Sequence, residues 1–147
     1  MRDVKDTCRI AVVQVTPVMF DKDGCLEKAL RLIDESADHG AELVVFPELF
    51  IPGYPYGMTF GFTVGSRKAP GREDWKHYYD NSLLSDGPEM QQLIAKAAER
   101  NVYLSIGYSE RDSVTGTLYN ANMMIAPDGR AMNHRKLKPT GSERVVW

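Results

Sequence analysis

The sequence predicts an α/β domain that starts with parallel strands and finishes with antiparallel ones. Two β-branched runs, Arg9 to Thr16 and Glu42 to Phe46, flank a segment of helical period, which is a β-α-β pattern with a covering helix. A second helix start follows at Ser85 to Glu89. From Val102 onward three runs are joined by the turns Asp112 to Gly116 and Pro127-Asp128-Gly129, so this half reads as antiparallel.

Arg9 to Thr16 is short, apolar and closed by Pro17, which favours a buried strand over a helix. Asp23-Gly24 can then open a helix whose Leu26, Leu30, Ile33 and Ala37 share one face, with Gly40 as its stop. Glu42 to Phe46 is the second strand. Phe50 to Gly71 shows neither period and is longer than ordinary connections, as functional loops tend to be. Its rings, Phe50, Tyr54, Tyr56, Phe60 and Phe62, and the nearby Trp75, Tyr78 and Tyr79, are expected to pack the loop onto the body or a second subunit, with one or two free to line a pocket. Ser85-Asp86-Gly87-Pro88-Glu89 supplies a capping residue, an early proline and an early carboxylate. Leu93, Ile94, Ala97 and Ala98 give that helix its apolar face, and Asn101 ends it. Val102 to Glu110, Leu118 to Ala126 and a run through Arg135 complete the strands.

A composition of 43% hydrophobic and 26% charged residues over 147 positions is that of a globular domain with a real core, not of a disordered chain. Eighteen basic against twenty acidic side chains leave a net charge of −2 with no dense Lys/Arg cluster, so no nucleic-acid partner is expected. No window approaches the roughly 18 apolar residues of a membrane span. The start, Met-Arg-Asp-Val-Lys-Asp-Thr-Cys-Arg, mixes charge signs and has no apolar signal core, which makes a cytoplasmic protein the expectation. Cys8 and Cys25 are too few for a disulfide framework and too far from any His for a zinc site. They are expected to be free thiols, and no metal site is expected from them.

Chemistry concentrates at two places. In Leu43 to Pro55 an apolar run stops at Pro47 and delivers Glu48 into a loop stiffened by Pro47, Pro52 and Pro55 and eased by Gly53. A carboxylate where a strand opens into a rigid loop is well placed for catalysis. In His134 to Thr140, alternation points Arg135 and Leu137 one way and His134, Lys136 and Lys138 the other, with Pro139 ending the strand. Lys136 fits either a solvated edge charge or an interior ammonium, the latter only with a partner, because an isolated buried charge is costly.

Phe46-Pro47-Glu48-Leu49-Phe50-Ile51-Pro52-Gly53-Tyr54-Pro55 and His134-Arg135-Lys136-Leu137-Lys138-Pro139-Thr140 resemble two signatures of the nitrilase superfamily, and Ser142-Glu143-Arg144 resembles a third. The likeness runs from the Ile-Ala-Val-Val-Gln strand to Val146-Trp147 and looks nearest to the nitrilase branch. It implies an αββα sandwich, incomplete here, with residues 1–147 forming the N-terminal portion of one carbon-nitrogen hydrolase domain. It also implies a Glu-Lys-Cys hydrolase acting on a small nitrile or amide, a homo-oligomer when full length. Glu48 matches the family's general base, Lys136 the cation that stabilises the tetrahedral intermediate, and Glu143 a further carboxylate. Two carboxylates around one lysine would keep it protonated in a pocket that excludes water. Tyr54 is the candidate pocket wall.

One member of that triad has no counterpart at the expected place. The family's nucleophilic cysteine lies beyond the Glu-Arg motif, and no residue after Lys136 is a cysteine. Cys8 precedes the first strand and Cys25 falls in the first helix, so the chain is expected to carry Glu and Lys only and to be inactive alone. The alternatives are an amidase, an N-carbamoyl amide hydrolase or a cyanide-converting enzyme of the same superfamily, or a non-catalytic remnant.

Overall fold

The computed structural model describes residues 6–61, 63, 65 and 69–147. Phe62, counted above among the loop aromatics, and residues 1–5 of the mixed-charge start lie outside them. Among the described residues five strands form one sheet in the order β1 (Ile10–Val12), β2 (Leu43–Val45), β3 (Tyr103–Arg111), β4 (Leu118–Ile125) and β5 (Ala131–Arg135). The first three are mutually parallel and the last three antiparallel, the switch the sequence predicts.

Helix α1 (Lys22–Asp38) begins at Asp21, whose carboxylate accepts the Gly24 N–H at 2.9 Å and caps the first turn. Gly40 follows its last turn with φ 79°, a left-handed position where glycine is strain-free. Helix α2 (Ala69–Asp80) is an element the periodicity does not reveal. Tyr78 is fully buried while Lys76 and His77 beside it are exposed, so no repeated apolar stripe marks this helix. Helix α3 (Pro88–Glu99) starts where predicted, but its cap is Gly87, which makes no side-chain cap bond, rather than Ser85 or Asp86. Proline at its first turn needs no N–H partner, and Asn101 closes it at φ 51°. Ala98, expected on its apolar face, is exposed, and Met90 is buried instead.

Register divides the sheet into two unlike faces. Val44, Leu104 and Ile125 lie side by side across three strands, with Ile106 and Met123 beside them, and all are buried. They meet Leu26, Ala29 and Ile33 of α1 and Met90, Leu93 and Ala97 of α3 in one cluster. Burying each such aliphatic side chain contributes about 1.5–3 kcal/mol. The two helices are tied together by Lys96, 3.2 Å from Asp34, and by Arg100 on Asp38.

On the opposite face Ile10, Val12, Tyr103, Met124 and Met132 share one surface by register, and all are exposed. The first strand therefore departs from expectation. It is three residues long and lies at an edge, with Val12 76% and Ile10 52% exposed; only Ala11 turns toward the helices, packing against their core. A second, smaller cluster of Phe60, Tyr78, Leu118 and Val146 anchors the loop and the last residues at one end of the sheet. The rings Phe50 and Phe60 pack inward as predicted, whereas Tyr56 is exposed.

Candidate active site

The site grows from a detour in the chain after β2. Phe46 N–H still bonds to Ser105 O at 2.8 Å, and Ile51 rejoins β3 through bonds to Gly107 O at 3.3 Å and from Ser109 N–H at 2.7 Å. Residues 47–50 between these attachments arch over β3, with Leu49 at φ 49°. Gly107 makes the arch possible: a Cβ there would stand 2.5 Å from Pro47 O and 2.7 Å from Glu48 Cα. A glycine inside a strand often marks such a close backbone approach. Glu48 is thereby held over the open face of the sheet.

Lys136 arrives from the other edge. The strand ends at Arg135, one residue before it, while Lys136 N–H bonds to Asn120 O at 2.8 Å. Alternation holds for His134 and Lys136 but fails beyond: Leu137 joins them around the same cavity instead of turning with Arg135, because the ladder has ended. Thr140 then caps a 3-10 turn, Gly141–Val145, by a capping box in which Glu143 Oε2 accepts the Thr140 N–H at 2.5 Å. Val146 buried against Leu118, and Trp147 donating to Ser109 Oγ at 3.5 Å, hold that turn down.

These three paths bring Glu48, Lys136 and Glu143 together. Lys136 Nζ donates to Glu48 Oε1 at 2.9 Å and to Glu143 Oε1 at 3.0 Å, so one ammonium bridges two carboxylates. Tyr54 donates its hydroxyl to the same Glu143 Oε1 at 2.7 Å. Asn120 Nδ2 donates to Glu48 Oε1 at 2.6 Å. Asn120 was not singled out in the sequence. Its one signal is the pair of amides, Asn120 and Asn122, two apart on one face of a strand that otherwise carries apolar and tyrosine side chains; Asn120 is buried, and buried amides need partners.

The electrostatics follow from these bonds. The hydrogen bond to Glu48 raises the Lys136 pKa above that of an ordinary lysine, with Glu143 adding to it against the opposing effect of burial. For Glu143 burial pushes the pKa up, but donation from Thr140 N–H, Tyr54 and Lys136 outweighs it and leaves the carboxyl below its usual range. Tyr54 is raised by its bond to that carboxylate. The lysine thus stays charged and Glu143 stays ionised around neutrality.

A cavity of about 460 Å3 opens beside the ions, lined by Glu48, Gly107, Asn120, Asn122, His134 and Lys136 among others. Tyr54, the candidate pocket wall, lines an adjoining cleft with Ser142, Glu143 and Trp147, its hydroxyl bonded to Glu143. One expectation needs correction: these residues do not exclude water. The loop and the last residues cover only the end of the open face around Ser109 and Leu118, which leaves the Glu48 side chain 51% exposed, while Glu143 is 6% exposed. Neither thiol is near. Cys8 is exposed on the approach to β1, and Cys25 is buried in α1 with Sγ donating to Val18 O at 3.1 Å. Burial pushes the Cys25 thiol up to about 11, the reverse of what a nucleophile needs. No group of three His, Cys, Asp or Glu among the described residues is placed to hold a metal ion.

Residues 9–147 match the carbon-nitrogen hydrolase family, and the chain belongs to it. Among curated relatives it is 45% identical over 139 residues to an aliphatic nitrilase of Sinorhizobium fredii, covering 95% of this chain and 44% of that protein. It is 44% identical over 142 residues to a bifunctional nitrilase/nitrile hydratase of Lupinus angustifolius, covering 96% and 40%. The chain therefore spans about two fifths of the length of these relatives. Among solved structures it superposes on a CN-hydrolase superfamily protein of Xanthomonas campestris with a TM-score of 0.63 at 21% identity, covering 88% of this chain and 40% of that one. An N-terminal amidase gives 0.68 at 19% identity, covering 95% and 30%. At these identities the structures establish a shared fold, of which this chain supplies one sheet and its helical layer.

Proposed function

We propose that this chain is the N-terminal portion of a nitrilase, one carbon-nitrogen hydrolase domain that converts a nitrile and two waters to a carboxylic acid and ammonia. The observation that carries the reading is the single ammonium of Lys136 bridging Glu48 and Glu143 over an open cavity. Glu48 is the general base, Lys136 the electrostatic stabiliser and Glu143 a second carboxylate that, with Glu48, keeps Lys136 charged and in place.

The nucleophile is a cysteine supplied from beyond residue 147. Glu48 takes the thiol proton as sulfur bonds to the nitrile carbon and passes it to the nitrogen, where the π electrons have moved, to give a thioimidate; it is then free to take a proton from the first water. Water adds, the carbon–nitrogen bond breaks with Glu48 returning a proton to the departing ammonia, and a second water hydrolyses the thioester. Negative charge building on nitrogen or oxygen faces Lys136, whose donors are fixed before the reaction begins. Glu48 on the exposed margin of the site is consistent with a closing wall contributed by the rest of the domain. The cytoplasm keeps a free thiol reduced, and we expect the full-length enzyme to act there, as a homo-oligomer.

A second outcome has its own support. Several relatives at 42–44% identity bear the double name nitrilase/nitrile hydratase, so release of the amide instead of ammonia is open to the same site. The test is to express the segment with its downstream coding sequence and measure ammonia and amide from a nitrile. Lys136→Ala is expected to lower kcat about 10³-fold, the scale of losing a preorganised charge stabiliser. Turnover that survives Lys136→Ala and Glu48→Gln overturns the assignment. An amide matching the nitrile, supplied as substrate, separates a nitrilase from an amidase.

A further inference from the structure

The strand that carries Lys136 has little apolar purchase on the rest of the molecule. Of β5, residues Ala131 to His134 are exposed and Arg135 is half-buried, with Met132 turned to the open face. What holds its last residues on the helix side is polar. Glu110 of β3 is 2% exposed and accepts from Arg135 Nε and Nη2, both at 2.8 Å, and from Asn133 Nδ2 at 2.9 Å. Arg135 Nη2 also reaches Asp112 at 2.8 Å, and its guanidinium lies 3.9 Å over the ring of Tyr119. Tyr108 donates to Asn133 Oδ1 at 3.0 Å.

These bonds cross a whole strand. Tyr108 and Arg135 both stand opposite Ala121 of β4, whose short side chain leaves β3 room to reach β5 beneath it. A bidentate fork between a buried carboxylate and a stacked guanidinium fixes direction as well as distance. Because side chains alternate, fixing Arg135 toward the helices aims its neighbour Lys136 toward Glu48 and Glu143.

We propose that Arg135, clamped by Glu110 and Asp112 on the helix-covered face, is a positioning residue that sets where the Lys136 ammonium stands on the open face. The inference rests on the nitrilase reading for its catalytic consequence, not for its geometry. Glu48, Glu143, His134 and Tyr54 are the ionisable groups on the Lys136 side; Glu110 and Asp112 act from the other.

The test uses the segment expressed with its downstream coding sequence. In Glu110→Gln, equal in size and unable to grip the fork as a carboxylate, kcat is expected to fall about tenfold with KM within twofold, as for a catalytic group held slightly out of place. Arg135→Lys keeps the charge without the fork and is expected to fail to rescue. The Lys136 Nζ resonance of 15N-lysine-labelled Glu110→Gln protein, assigned by its loss in Lys136→Arg, is expected to titrate closer to an ordinary lysine. Should Glu110→Gln not fold, Asp112→Asn loosens the same guanidinium from its more exposed side and is read in the same two ways. A folded variant with wild-type kcat and wild-type Lys136 titration overturns the proposal, as does a fall in kcat matched by loss of folded protein with the titration unmoved. If the parent protein turns over no nitrile, the reaction assignment fails while the titration still decides the clamp.

Discussion

The two faces of the sheet divide labour. The helix-covered face is continuous hydrocarbon, Val44, Leu104, Ile106, Met123 and Ile125 against α1 and α3, ending in the Glu110–Arg135 clamp. The open face carries Gly107 and, hydrogen-bonded together, Asn120, Glu48, Lys136 and Glu143, with exposed apolar side chains around them. The first face holds the buried core; in the proposed function the second holds the chemistry, and in the proposed clamp Arg135 links the two. An apolar sheet surface of this kind needs a cover. In the αββα sandwich of the family that cover is a second sheet, and this chain accounts for about two fifths of its relatives' length.

The sharpest way to break the comparison is to make the same change on both faces. Leu104→Ala removes a fully buried side chain of β3 that packs under the helices and is expected to destabilise the 147-residue chain by about 3 kcal/mol. Val12→Ala on the open face should lie within about 0.5 kcal/mol of wild type. Urea midpoints of the two variants decide it. Equal losses would show that the open face is covered in solution, by self-association if the Val12→Ala loss depends on protein concentration.

A smaller effect is expected at Gly107, on the open face beneath the arch. Gly107→Ala puts a methyl group into the backbone of the arch, 2.6 Å from Leu49 N, and overpacking of that sort costs about 1–3 kcal/mol. The arch must lift, carrying Glu48 away from Asn120 and Lys136. A lower urea midpoint together with a change in the Lys136 titration is the expected signature. A drop in stability with Lys136 unmoved would show that Glu48 tolerates the shift.

Much of the fold could be read because single elements carry their own signal. Leu26, Leu30 and Ile33 spell one face of α1, and the turns at Asp112 and Pro127 separate β3, β4 and β5. The meeting of Glu48 with Lys136 was legible only through the resemblance of two motifs, since nothing local joins residues 88 positions apart. Other features depend on what lies alongside. The burial of β1 failed as an expectation because an apolar run is equally compatible with a covered strand and an uncovered edge. Helix α2 was hidden because the small aromatic cluster around Tyr78, not a stripe, holds it. Asn120 and the Tyr54–Glu143 bond arise from tertiary convergence, though Gly107, a glycine amid strand residues, was a signal in plain view.

Glu143 offers the most delicate probe of the open face. Its pKa is lower in the folded protein than the usual carboxylate value of 4.5, since Thr140 N–H, Tyr54 and Lys136 donate to the ionised form and outweigh burial. A carboxyl whose folded pKa is depressed binds its proton more readily when unfolded, so it adds stability that is complete above about pH 4.5 and is lost as pH falls through the folded value. Urea midpoints measured from neutrality down to the acid transition should therefore decline less steeply in Glu143→Gln than in wild type. The two curves should run parallel above pH 6, where Glu143 is ionised in both states. At neutral pH the variant is expected to be less stable by about 1–3 kcal/mol, because a nearly buried group that served three donors now offers fewer acceptor sites. An acid limb of unchanged steepness would mean that Lys136 and Tyr54 do not grip the ionised carboxylate in solution, and that Glu48 alone holds the lysine in place.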